Sequence, residues 1–142
     1  MFNELVSYTA RDFTGKREPK YKHPFLEATI IPPSSCIYNI DTVKDKCIIL
    51  EGGTDVWRMG DETISLQGIE TTKEQVRYLS EAGIKKAVIM FDSGKDDKAR
   101  KLGYALSSVI PEIKIASLDS GDPGELSEED AIKIKHELLY SY

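Results

Sequence analysis

The chain has 142 residues, 40% hydrophobic and 30% charged, with 19 Lys and Arg against 24 Asp and Glu. At roughly 100–200 residues per domain this reads as one globule with its own core, which excludes a disordered or membrane-embedded class. The net charge of −5 is uneven: residues 11–22 carry five bases against two acids, and residues 112–142 carry eight acids against three bases. No apolar run reaches the ~20 residues of a membrane helix. The opening MFNELVSYTARDF has neither the basic start nor the apolar stretch of a secretory signal. Cys36 and Cys47 fit no disulfide framework and no zinc spacing. They predict small buried hydrophobes in a reducing, cytoplasmic setting and argue against zinc or haem chemistry.

Residues 1–45 hold four of the six prolines (Pro19, Pro24, Pro32 and Pro33) and show no sustained helical period. They predict short strands and loops, a small basic cap on the rest of the chain. From residue 46 to 142 short β-branched runs alternate with helical ones. CIIL (47–50) is a strand that ends at Glu51-Gly52-Gly53, and a short helix follows over 54–59. TISLQG (63–68) is a second strand. A helix then opens on a capping box, Thr71 with Glu74 or Thr72 with Gln75, and stops at Gly83. AVIMF (87–91) is apolar throughout, as a strand buried on both faces must be. Residues 96–110 are helical up to Pro111, KIASL (114–118) is a fourth strand, and SEED (127–130) caps a last helix. Strand and helix alternate throughout, which predicts an α/β fold: a mostly parallel four-stranded sheet with helices on both faces. Trp57, alone in the short helix, is expected in the core.

In an open α/β sheet ligands bind beyond the carboxyl ends of the strands. Those ends carry Glu51 and Asp55, then Asp92 with Asp96 and Asp97, then Asp119 and Asp122. Carboxylates brought together repel unless a cation neutralises them, and hard oxygen donors suit Mg²⁺ or Mn²⁺. The same acids can also cap helices and build turns, as expected of Asp96 and Asp97 at a helix start and of Asp119 and Asp122 around Gly121 and Pro123.

The order of these pieces resembles the Toprim domain. CIILEGGTDVWRMG looks like its first motif, VIMFDSGKDDKARKLGYAL like its second, and LDSGDPGEL like the Asp-Pro stretch of its primase members. Upstream, ARDFTGKREPKYKHP and CIYNID resemble the segment that precedes Toprim in bacterial-type and phage primases. The resemblance implies metal-dependent nucleotidyl or phosphoryl transfer on nucleic acid, with Mg²⁺ or Mn²⁺ as cofactor. Glu51 would be catalytic, and Asp92, Asp122, Asp55 and Asp96 would serve the metal. Arg11, Lys20 and Lys22 would contact template or nucleotide phosphates, and Tyr21 would stack on a base or pack under its loop. The implied partners are a single-stranded DNA template and NTPs, with a helicase or a zinc-ribbon primase component beside them. Where the family has Asp-x-Asp, this chain has Asp92-Ser93-Gly94. That departure keeps two further readings open: a Toprim nuclease, and a nucleic-acid-binding module without catalysis.

Overall fold

The computed structural model describes residues 5–68 and 70–141 and divides the chain into two compact units, Met1–Cys36 and Ile37–Tyr142. In the first unit β1 (Ala10–Arg11) pairs antiparallel with β2 (Tyr21–Lys22), Arg11 lying opposite Tyr21. Asp12 organises the loop between them. Its carboxylate accepts the Thr14 hydroxyl and the backbone N–H groups of Thr14, Lys16 and Arg17. Those bonds, led by the Thr14 hydroxyl, stabilise the charged form and hold the Asp12 carboxyl below its usual range. Two 3-10 turns follow, Leu26–Ala28 and Pro33–Ser35, as a proline-rich stretch without helical period allows.

The second unit begins at Ile37, earlier than the 45/46 boundary expected from composition. Tyr38 forms an antiparallel bridge with Ser65, exchanging both backbone hydrogen bonds, so this stretch belongs to the edge of the main sheet. The elements then run β3 (Lys46–Leu50), α1 (Gly53–Met59), β4 (Thr63–Ser65), α2 (Lys73–Glu81), β5 (Lys86–Met90), α3 (Asp96–Leu106), β6 (Glu112–Ala116) and α4 (Glu128–Tyr140). All three pairings of the four-stranded sheet are parallel, in the order β4-β3-β5-β6. The predicted α/β fold is the one observed. The fourth strand starts two residues earlier than its apolar run, because Lys86 and Glu112 set the register with β5. As an edge strand β6 needs no continuous apolar stretch: none of its residues is fully buried, and Ile115 is 38% exposed.

The pleat splits the core in two. Cys47 and Ile49 of β3, with Ala87 and Ile89 of β5, face Leu79 of α2 and Ala99, Leu102 and Leu106 of α3. Ile48, Leu50, Val88 and Met90 face Val56 and Met59 of α1 and Ala131 and Leu139 of α4. Strands buried on both faces have no room for alternation, which is why both read as unbroken apolar runs. Each buried Ile, Leu or Met contributes about 1.5–3 kcal/mol by area. Burial also pushes the Cys47 thiol up to about 12, leaving it an inert core residue. No described helix is long and apolar enough to cross a membrane.

Topology places the site. β3 leads through α1 to β4 on one side, while its other neighbour, β5, leads through α3 to β6 on the opposite side. α1 and α3 lie on opposite faces. A crevice therefore opens between the carboxyl ends of β3 and β5, where the strand order reverses. Ile49 lies opposite Ile89, so Glu51 stands level with Phe91 and one residue short of Asp92 at these adjacent strand ends.

Candidate functional site

Glu51 and Asp92 share one cation, the ammonium group of Lys95. Lys95 Nζ donates to Glu51 Oε1 at 2.8 Å, to Glu51 Oε2 at 2.7 Å and to Asp92 Oδ2 at 2.9 Å. The three side chains are about a third exposed or less, at 27% for Glu51, 31% for Asp92 and 31% for Lys95. The bonds to Glu51, then those to Asp92, raise the Lys95 ammonium well above its ordinary pKa. The local chain makes this possible. Asp92-Ser93-Gly94-Lys95 closes a turn, with Lys95 N–H donating to the Asp92 carbonyl at 3.2 Å. Its third position is left-handed, at φ 81, a conformation glycine adopts without cost. Gly94 is thus the residue that lets Lys95 fold back over Asp92.

Asp55 stands in the first turn of α1 and is buried. Its Oδ2 accepts the Gly52 N–H at 2.9 Å, which ties the helix start to the Glu51 turn. Burial raises its carboxyl above the ordinary value, and the charges of Asp122, Asp92 and Glu51 add to that, against the Gly52 bond. Glu51 and Asp92 meet on Lys95, and Asp55 and Asp122 meet at Gly124. Asp122 precedes a 3-10 turn, Pro123–Glu125, and its Oδ1 lies 3.0 Å from where a Cβ on Gly124 would sit, with Asp55 Oδ1 2.9 Å from the same point. Ser93 N–H donates to the Gly121 carbonyl at 3.0 Å and joins the two acid-bearing loops. Asp96, at the start of α3, accepts the Ser117 hydroxyl at 2.7 Å and so serves the β6 end.

Hard carboxylate oxygens of this kind suit Mg²⁺ or Mn²⁺ by chemistry. The Glu51–Asp92 pair is bridged by one ammonium group, which offsets one of its two charges. Among the described residues no three His, Cys, Asp or Glu side chains are grouped to hold a metal ion. Sequence reasoning found the four acids and missed Lys95. Its signal was a base three residues after the strand-end Asp, the spacing of a turn that brings both side chains to one side.

Trp57 corrects the core expectation, being 69% exposed. Val56 and Met59 take the inward face of α1, which leaves position 57 turned outward. Its indole N–H donates to the Tyr38 hydroxyl at 2.6 Å. The Tyr38 ring lies 3.9 Å from where a Cβ on Gly53 would sit, so the aromatic pair borders the Glu51 turn.

In the first unit, Arg11, Lys20, Tyr21 and Lys22 are all exposed on the β1–β2 hairpin. The Arg11 guanidinium lies 5.6 Å from the centre of the Tyr21 ring, a cation–π distance. Tyr21, at 44% exposure, keeps part of its ring open to solvent.

No family model matches the chain, and no curated protein sequence matches it. Its fold is similar to that of the primase fragment of the bacteriophage T7 primase-helicase protein, with a TM-score of 0.65 and 19% identity. The match covers 94% of this chain and 56% of that one, so the chain spans little more than half of the fragment's length. At such identity the likeness is one of fold.

Proposed function

We propose that this chain is a primase-like catalytic core that transfers nucleotidyl groups on nucleic acid and uses Mg²⁺ or Mn²⁺. The observation that carries the reading is that Glu51 and Asp92 meet on Lys95, and Asp55 and Asp122 meet at Gly124, where the strand order reverses. The shared fold with a phage primase fragment supports it. Asp92, Asp122 and Asp55 would hold the metal, with Asp96 at the rim of the same loop. When bound, the metal supplies charge neutralisation for the phosphates and a more acidic attacking hydroxyl. Glu51 would take the proton from the attacking 3′-hydroxyl across a hydrogen bond. Arg11, Lys20 and Lys22 bind phosphates of a single-stranded DNA template or of NTPs, and Tyr21 offers a ring face to a base. A zinc-ribbon component and a helicase would supply template choice and movement along DNA.

Primer synthesis from labelled NTPs on single-stranded DNA, with Mg²⁺ or Mn²⁺, tests this. Product is expected from the wild-type chain supplied with a zinc-ribbon component, and none from Glu51→Gln or Asp92→Asn. Product unaffected by both substitutions overturns the roles assigned. Cleavage of plasmid or single strands without primer formation would turn the reading to a nuclease.

The Lys95 contacts favour one alternative, a nucleic-acid-binding module without catalysis. That module would bind single strands through the 11–22 segment, with log affinity falling against log salt and Lys20→Ala reducing the slope by about one.

A further inference from the structure

We propose that Lys95 is a built-in cation for the Glu51–Asp92 pair, and that a divalent ion enters between these carboxylates by displacing it. An ammonium group has three N–H donors. Here all three are used, on Glu51 Oε1, Glu51 Oε2 and Asp92 Oδ2, at 2.7–2.9 Å. The amine therefore fills the position between the two strand ends and offsets the repulsion of two carboxylates held side by side. Its backbone is fixed, because Lys95 closes the turn from Asp92 and immediately precedes α3. Its side chain is not: a four-carbon stem carrying a point charge can withdraw without moving the helix.

A tethered cation competes well. Its contact is intramolecular and needs no capture from solution, whereas Mg²⁺ gives up its hydration shell reluctantly. Lys95 thus sets how readily a divalent ion reaches Glu51 and Asp92. This deepens the phosphotransfer reading by naming what controls cation entry at the same carboxylates, and its test reads metal binding in place of turnover.

Mn²⁺ binding to the full chain can be followed by the loss of the free-ion electron paramagnetic resonance signal, beside melting temperatures with and without Mn²⁺. Lys95→Met is expected to bind Mn²⁺ about tenfold more tightly than wild type or better, since a competing charge is gone. It should also melt lower without metal and recover with it. Lys95→Arg keeps the charge and should behave as wild type, and Lys95→Gln repeats the test should the Met variant fail to fold. Adding Glu51→Gln to Lys95→Met should abolish the gain. Equal Mn²⁺ affinity in wild type and in the neutral variants overturns the proposal. Absent primer synthesis with the affinity gain intact defeats the primase reading alone; primer synthesis with no gain defeats this inference alone.

Discussion

A Cβ placed on Gly124 would fall 2.9 Å from Asp55 Oδ1 and 3.0 Å from Asp122 Oδ1. Glycine at 124 is what lets the loop after β6 close over the start of α1. Asp55 cannot simply turn aside, because its other oxygen holds the Gly52 N–H and the residue is buried. Gly124→Ala is therefore an overpacking substitution, expected to cost about 1–3 kcal/mol. Urea unfolding measures it, and an unchanged midpoint would show that the loop has slack.

The same Asp55 gives the fold a pH signature. Burial first, and then the charges of Asp122, Asp92 and Glu51, raise its carboxyl above the ordinary 3.8. A folded-state pKa above the unfolded one means that the protein gains stability from the protonated form. That contribution is complete below pH 3.8 and disappears as pH rises through the folded value. Asp55→Asn carries no such charge, and its side-chain oxygen can still accept the Gly52 N–H. The variant should gain on wild type as pH rises from the unfolded value, and be the more stable of the two at neutral pH. Urea midpoints of both proteins across that range test this. Parallel curves would remove Asp55 from the strained cluster.

The sheet was legible from Cys47–Leu50 and Ala87–Phe91, because strands buried on two faces leave an unbroken apolar record. The acids were legible because strand ends are where a parallel sheet presents side chains to ligands. Lys95 was not, since a loop lysine looks the same in sequence whether it faces water or two carboxylates. Only the left-handed turn at Gly94 decides between them. The edge strand β6 and the start of the second unit at Ile37 were blurred for a related reason: one-sided contacts leave weak periodicity.

Trp57 shows the limit of hydrophobicity as a guide, for indole has a large apolar body and a polar N–H. It is the one tryptophan of the chain and 69% exposed, so it reports on its own position. Its emission should be red-shifted, as for indole in water, and acrylamide should quench it almost as efficiently in the native as in the unfolded protein. Tyr38→Phe removes the acceptor of the indole N–H at an exposed site. The cost should stay within about 1 kcal/mol. A blue-shifted, protected Trp57 would contradict the outward placement.

Gln75 is the opposite case, a polar side chain only 1% exposed. Its Oε1 accepts the Thr72 N–H at 3.0 Å, and its Nε2 donates to the Leu66 carbonyl at 3.0 Å. One amide thus completes the cap of α2 and fastens that helix to the end of β4. Gln75→Leu is close in size but leaves a backbone donor and a backbone acceptor without partners in the interior. Each such orphan costs about 1–3 kcal/mol, against which the leucine gains only its better transfer from water. A net loss is expected in chemical denaturation. Gln75→Glu should lose more at neutral pH, because its carboxylate would face the Leu66 carbonyl with no proton to give. Acidification that protonates the new side chain should narrow the gap between Gln75→Glu and wild type, and a gap independent of pH would show that the Leu66 contact carries little of the helix's attachment.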